Sequence, residues 1–144
     1  MKLTHAAFAA LAVGLTGMVA AAPVIAQSTI AQQATFATSG DFVKKSKKLK
    51  GSWSVVERDG ATFIVFSDDF RAAKGPDLKI FLSPMSVADA TGKTAVDGAL
   101  NIGELQNTKG AQEYEVPAGV DLSQYGSVLV HCEAYSVLWG GGDL

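Results

Sequence analysis

From Gly40 onward, short apolar stretches alternate with clusters of Gly, Pro, Asp and Ser, so that a turn signal recurs about every 8 to 15 residues. Strands separated by such frequent turns are typical of sandwiches and barrels, whereas the spacing gives little support for helices. The chain has 144 residues, which leaves little room for two separately packed cores. The sequence therefore predicts an all-β fold, an antiparallel β-sandwich or barrel-like single domain, over residues 40–144.

The clearest local signal is a β-hairpin. The segment Ser52–Val55 alternates polar and apolar residues, Asp59-Gly60 follows, and Ala61–Phe66 resumes the strand pattern. Asp-Gly supplies the positive φ angles that a tight type I′ turn needs. Two further patterns predict a strand over Asp77–Leu82 and a short helical turn capped by Asp121.

The N-terminus has the pattern of an export signal. Lys2 precedes an apolar run of small residues, Ala6–Ala22, and Pro23 is followed by a candidate cleavage site after Ala26. The run is shorter than the roughly 20 residues of a membrane-spanning helix. We therefore expect residues 1–26 to be a signal peptide, residues 27–39 a flexible tail, and the mature protein to be periplasmic or secreted without a membrane span.

The chain contains one cysteine, Cys132. Exported proteins usually carry paired cysteines because their surroundings oxidise thiols. A single cysteine leaves three alternatives: a buried inert thiol, a reactive group, or a disulfide-linked dimer through Cys132.

The longest apolar stretch after the signal, Ser127–Trp139, predicts the strand that carries Cys132. Alternation along an extended strand places Cys132 on a small apolar face with Val128 and Val130, and His131 on the opposite face. Apolar neighbours favour the neutral thiol, and adjacent side chains that point apart cannot form a Cys–His dyad. A β-bulge at this point would change that assignment.

Several kinds of functional site are excluded because the chain lacks the residues that they require. Covalent haem attachment and thiol–disulfide exchange need a second cysteine, and a structural zinc site needs about four Cys or His ligands. No Gly-x-Ser-x-Gly elbow or phosphate-binding glycine loop is present. The sequence therefore predicts no nucleic-acid partner and no metal site, and it favours a protein that is not a classical enzyme.

Two weaker patterns remain. A basic run precedes the hairpin and consists of Lys44, Lys45, Lys47, Lys48 and Lys50. It is explained either by an anionic partner or, more simply, by a solvated edge that discourages strand-to-strand aggregation. The carboxylates of Asp68, Asp69 and Asp77 are hard oxygen ligands, but their spacing matches no calcium loop and favours turn capping.

In order and spacing these segments resemble the DM13 domain family, in its single-domain bacterial form with a signal peptide. The matching segments are Gly40-Asp41-Phe42, Gly51 with Asp59-Gly60, Phe70 with Gly75-Pro76-Asp77-Leu78 and Phe81-Leu82, Gly110–Pro117, Asp121–Tyr125, Val128–Cys132 and Tyr135–Gly140. Together they cover roughly residues 40–144.

The resemblance implies a β-rich extracellular or periplasmic module with a proposed role in electron transfer. In the family that proposal centres on the cysteine matching Cys132, as a bare thiol or as a ligand to a prosthetic group such as haem. Family members often carry a histidine before the glycine matching Gly51. Here that stretch is Lys47–Lys50, which removes one candidate haem ligand.

Two functional hypotheses follow. In the first, the protein is a redox module acting with an unidentified redox or envelope partner, and Cys132 lies at a surface cleft beside a cation. In the second, it is a non-enzymatic binding or structural module of the cell envelope with Cys132 as a buried core thiol.

Overall fold

A computed structural model describes residues 35–144 of the chain. The predicted signal peptide (1–26) and the first part of the predicted tail lie outside the described residues. Among the residues that are described, no helix is long and apolar enough to cross a membrane.

The described chain is built almost entirely from short strands. They are β1 (Thr35–Asp41), β2 (Val43–Lys44), β3 (Leu49–Lys50), β4 (Ser52–Arg58), β5 (Ala61–Phe66), β6 (Arg71–Ala72), β7 (Leu78–Ser83), β8 (Leu100–Glu104), β9 (Gln112–Val116), β10 (Ser127–Cys132) and β11 (Val137–Asp143). Two short 3-10 helices, Leu122–Gln124 and Glu133–Tyr135, complete the secondary structure. Strand β1 takes in residues 35–39, which the sequence analysis assigned to the flexible tail.

The strands form two main antiparallel sheets. Sheet A has the order β1-β4-β5-β9, sheet B has the order β2-β11-β10-β7-β8, and a small third sheet pairs β3 with β6. The inward side chains of sheets A and B meet in one apolar core. The predicted all-β, sandwich-like single domain is therefore confirmed.

The predicted hairpin is present as β4 and β5. Their register runs from Trp53 opposite Phe66 to Arg58 opposite Ala61. At the turn, Asp59 has φ 55° and Gly60 has φ 78°, the two positive angles of a type I′ turn. The hairpin brings Trp53 and Phe66 into the core, where Phe66 packs against Phe42, Phe70 and Tyr114 with ring centroids 4.8 to 5.2 Å apart.

Sheet B is buried on both faces. One face contacts sheet A, and the other is covered by the segment 84–99, which we call the cover segment. Val87, Ala90 and Ala95 of this segment pack on Phe81 of β7 and Leu129 of β10. Small and polar residues dominate the cover segment, but its few apolar residues point inward.

The end of the chain differs from the sequence-based expectation. The stretch Ser127–Trp139 is not one strand, because the 3-10 helix Glu133–Tyr135 and Ser136, with φ 51°, reverse the chain after Cys132. The C-terminal glycines Gly140, Gly141 and Gly142 lie inside β11. Gly142 has no side chain because the Trp53 indole occupies the space where a Cβ would lie.

Candidate functional site

Cys132 is the last residue of β10 and lies in the core of the sandwich. It is directly opposite Leu78 of β7 and Val137 of β11. Directly paired residues share one face of a sheet, so these two side chains flank the thiol. Cys132 is 0% exposed, as are Val130 and Ile80 in the same cluster. It forms no disulfide within the described residues.

His131 lies on the other face of β10, as the alternation predicts. Its Nε2–H donates to the Gly92 carbonyl of the cover segment at 2.7 Å, and its ring meets Phe81 edge-on. The Nδ1 atom is buried and finds no hydrogen-bond partner among the described residues. The face was not expected to be buried, but His131 is only 1% exposed.

A β-bulge does occur beside Cys132, but it leaves β10 regular. The register between β10 and β11 shifts between Val130 and His131, which adds Trp139 to the β11 side. The register between β10 and β7 has no shift over the same residues. Because the extra residue belongs to β11, Cys132 and His131 keep opposite directions and form no Cys–His dyad.

Three charged side chains secure the turn that follows Cys132; we call them the clasp. Asp77 accepts hydrogen bonds from the Glu133 N–H (at its carbonyl, 3.1 Å) and from the Ala134 N–H (at Oδ2, 3.0 Å). Lys79 forms ion pairs with Glu133 and with Asp77. The hydrogen bond to Glu133 raises the pKa of Lys79, so the ammonium form is favoured. The turn residues Glu133, Ala134, Tyr135 and Ser136 are themselves exposed.

The indole of Trp139 closes the core at the same end of the sandwich. Its Nε1–H donates to the Ala73 carbonyl at 3.0 Å, and its ring packs so closely on Gly75 that a Cβ there would lie 2.9 Å from Cζ2. The Gly75-Pro76 turn therefore packs over the edge of the core beside Leu78. Because the Cys132 side chain is 0% exposed, the thiol does not lie at the surface cleft that the redox hypothesis predicted.

The residues around Cys132 do not fit a haem in this arrangement. A cavity of about 510 Å³ is lined by residues of β1, β4 and the end of β5, among them Ser54, and by Ser67, which follows β5. A smaller cavity of about 160 Å³ borders Leu78 but not the thiol. Cys132 lines neither cavity, so neither offers a space in which a prosthetic group would contact the thiol.

The other candidate residues of the sequence analysis are dispersed. Asp69 accepts a hydrogen bond from the Ser67 hydroxyl, and Asp77 belongs to the clasp. Within residues 35–144 no three His, Cys, Asp or Glu side chains are grouped as a metal site would require. The lysines of the basic run are all exposed, on β2, β3 and the turn between them.

Comparison with known proteins shows which family the chain belongs to. The family model described as "Electron transfer DM13" matches residues 41–141. The chain belongs to the DM13 family. No curated protein and no solved structure matches it. The matched range contains Cys132, the clasp and Trp139, and the family description connects the module with electron transfer.

Sequence reasoning selected Cys132 but missed what encloses it. Asp77 was predicted to cap a turn rather than to bind calcium, and Lys79 and Glu133 were not singled out. The hexapeptide of β10, SVLVHC, is buried at every position. A strand buried on both faces is a near-continuous apolar run, and that run was the available signal for the cover segment.

Proposed function

We propose that this DM13 protein is an exported electron-transfer module whose redox group is the bare thiol of Cys132. The observation that carries the proposal is the position of the thiol. Cys132 is enclosed by the core, yet it is the last residue before an exposed turn and lies inside the family match. The sequence pattern that predicts an export signal at residues 1–26 supports a periplasmic or secreted location, where a thiol encounters oxidants.

The chemistry of a bare thiol requires access. One balanced step is oxidation by a peroxide, in which the S–H sulfur takes one oxygen to give the sulfenic acid and the peroxide leaves as water or an alcohol. A reductant partner would return the thiol by supplying two electrons and two protons, and the oxygen of the sulfenic acid would leave as water. Both steps need a partner atom within bonding distance of Sγ, which full burial prevents.

Opening of the turn Glu133–Ser136 is the route to Sγ that disturbs the fewest contacts. Its side chains are exposed, and it is secured mainly by the clasp rather than by core packing. Local openings in proteins cost anything from nearly zero to the full free energy of unfolding, and exposed turns lie at the low end. The rest of β10 would stay in the sheet, between β7 and β11.

The proposal is tested by oxidising the folded full chain with hydrogen peroxide and measuring the intact mass, with Cys132→Ala as the matched control. We expect wild type to gain one oxygen adduct more than the variant, and a thiol reductant to reverse that additional adduct. Oxidation of the three methionines is common to both proteins and is not reversed by a thiol. No oxidation or thiol labelling before denaturation, together with no haem-region absorbance in the purified protein, would overturn the redox role.

A second candidate function is a non-enzymatic binding or structural module in which Cys132 only packs. The complete burial of the side chain among Val130, Ile80 and Leu78 favours it. Under this alternative, a Cys132→Ala variant that stays folded keeps every cellular phenotype of wild type. Loss of the phenotype in a stable Cys132→Ala protein would exclude it.

Burial also bears on a disulfide-linked dimer. Two copies of Cys132 can form a disulfide only if both turns open, with loss of two protons and two electrons to an acceptor. Under the proposed mechanism the dimer is therefore slow to form, and non-reducing electrophoresis after mild oxidation measures it directly.

A further inference from the structure

The fold brings the segments that carry most of the cations of the described domain next to one another, and we call this set of cations the basic surface. It consists of Lys44, Lys45, Lys47, Lys48, Lys50, Arg71, Lys74 and Lys109. The three remaining cations among the described residues are Arg58, Lys79 and Lys93. Arg58 and Lys79 are ion-paired, whereas none of the eight is paired with a described carboxylate.

The basic surface is assembled from segments that are distant in sequence. Lys50 of β3 is directly opposite Arg71 of β6, and Arg71 is in turn opposite Lys109. Two backbone hydrogen bonds hold the segment that carries Lys109 against β6: Ala72 N–H donates to the Thr108 carbonyl, and Gly110 N–H donates to the Phe70 carbonyl. Direct partners share a face, so Lys50, Arg71 and Lys109 form a row with Cβ atoms about 5 Å apart.

Like charges directly opposite one another destabilise a sheet. The Arg71 guanidinium donates to the backbone carbonyls of Asp68 and Phe70. No described carboxylate pairs with it to offset the repulsion between the three cations. A solvated strand edge needs one or two lysines, but it does not need three cations stacked across three segments. The row therefore favours a bound anion over the simpler explanation of an aggregation-resistant edge.

We propose that the basic surface docks the protein on an anionic membrane surface. Seven of its eight cations are lysines, which are hydrated point charges suited to a diffuse array of phosphates rather than to one planar carboxylate. Val43, beside Lys44, is 54% exposed and is one of two large hydrophobic side chains exposed in the described domain. A lipid interface can bury such a side chain, whereas a soluble polyanion cannot.

Docking in this way would fix the orientation of the domain. The hairpin tip at Asp59 lies at the opposite end of β4 from Ser52 and the β3 strand, and it faces away from the basic surface. Acidic side chains dominate the remainder of the domain, because 14 Asp and Glu face only three other described cations. The interaction does not depend on the Cys132 chemistry proposed above.

The test is co-sedimentation of the full chain with vesicles of phosphatidylcholine containing 30% phosphatidylglycerol, against pure phosphatidylcholine vesicles. Each lysine near an anionic surface contributes about fivefold to binding. We therefore expect a Lys50→Gln/Lys109→Gln double variant to bind the anionic vesicles roughly 25-fold more weakly. Lys93→Gln, which removes an unpaired lysine outside the surface, is expected to bind like wild type. Residues 1–26 are common to all variants and cancel in the comparison.

Two further measurements vary the salt concentration and replace the vesicles with a soluble anion. Raising the salt concentration is expected to release the wild type, because screening shortens the reach of exposed charges. Equal binding to both vesicle types, an equal loss in Lys93→Gln, or binding of soluble polyphosphate with no binding to vesicles would each overturn the proposal. Cys132→Ala tested in parallel is expected to bind normally whether or not the thiol is redox-active.

Discussion

The two faces of β10 are both buried, but they are buried by different chemistry. The core face presents Val130 and Cys132 to apolar side chains, and no hydrogen bond crosses it. On the cover face, Ser127 and His131 donate to the carbonyls of Met85 and Gly92 in the cover segment. One face is held by packing alone, and the other uses polar groups to fasten a loop that has few apolar residues.

This difference separates His131 from Cys132, as the alternation along β10 predicts. Adjacent in sequence, His131 and Cys132 serve different layers of the molecule, and the backbone of β10 stands between them. His131 positions the cover segment, whereas Cys132 sits beneath the clasp and the exposed turn. Variants on the two faces should therefore differ in what they disturb.

The largest expected effect comes from filling the core face at Gly142. A methyl group there would overlap the Trp53 indole, and overpacking a filled core costs about 3 kcal/mol at the upper end of its usual range. Gly142→Ala is expected to lower the free energy of unfolding in urea by that amount. Gly119→Ala, at an open turn with φ 83°, is the control, and it should lose only about 1 kcal/mol. Equal losses would show that the Trp53 indole moves aside for the methyl group, so that the core face is not tightly filled at Gly142.

Substituting the thiol itself should have the next largest effect. Cys132→Ser buries a hydroxyl among aliphatic side chains and is expected to cost about 1–3 kcal/mol in urea unfolding. Cys132→Ala, which leaves a small cavity but no unpaired polar group, should be the more stable of the two. If serine is tolerated as well as alanine, a polar partner reaches this position and the core face is not purely apolar.

On the cover face, His131→Leu removes the hydrogen bond to Gly92 and should cost about 1 kcal/mol. The same change removes the unpartnered Nδ1, which limits the loss. Hydrogen exchange is expected to accelerate in the cover segment, residues 84–99, while thiol labelling of Cys132 stays at the wild-type rate. Faster labelling would mean that the two faces are coupled.

The smallest effect on stability is expected at the clasp, where Asp77→Ala removes the acceptor for the Ala134 N–H. Loss of one partly exposed hydrogen bond, about 1 kcal/mol, should raise the rate of native thiol labelling roughly fivefold. Glu115→Ala, at an exposed residue of β9 in sheet A, is a matched control and should leave that rate unchanged. If the Asp77→Ala protein is labelled at the wild-type rate, opening of the turn is not the way in which the probe reaches Cys132.

The sequence allowed the all-β fold, the Asp59-Gly60 hairpin and the face of Cys132 to be predicted, because each depends on local turn chemistry or on period-two alternation. It did not allow the burial of His131 to be predicted. That burial depends on the cover segment, whose Val87, Ala90 and Ala95 are too few to give a periodic signal. The clasp was missed for a similar reason, since Asp77, Lys79 and Glu133 come together only through the pairing of β7 with β10.

The central claim is that Cys132 is an enclosed thiol reached by local opening of the turn after β10. The most direct measurement is the rate at which a thiol-reactive probe labels the folded full chain as urea is increased below the unfolding transition. A local opening exposes little surface, so we predict slow labelling in water that depends weakly on urea. Labelling that rises with the full urea dependence of global unfolding would contradict the claim and leave Cys132 as a core thiol.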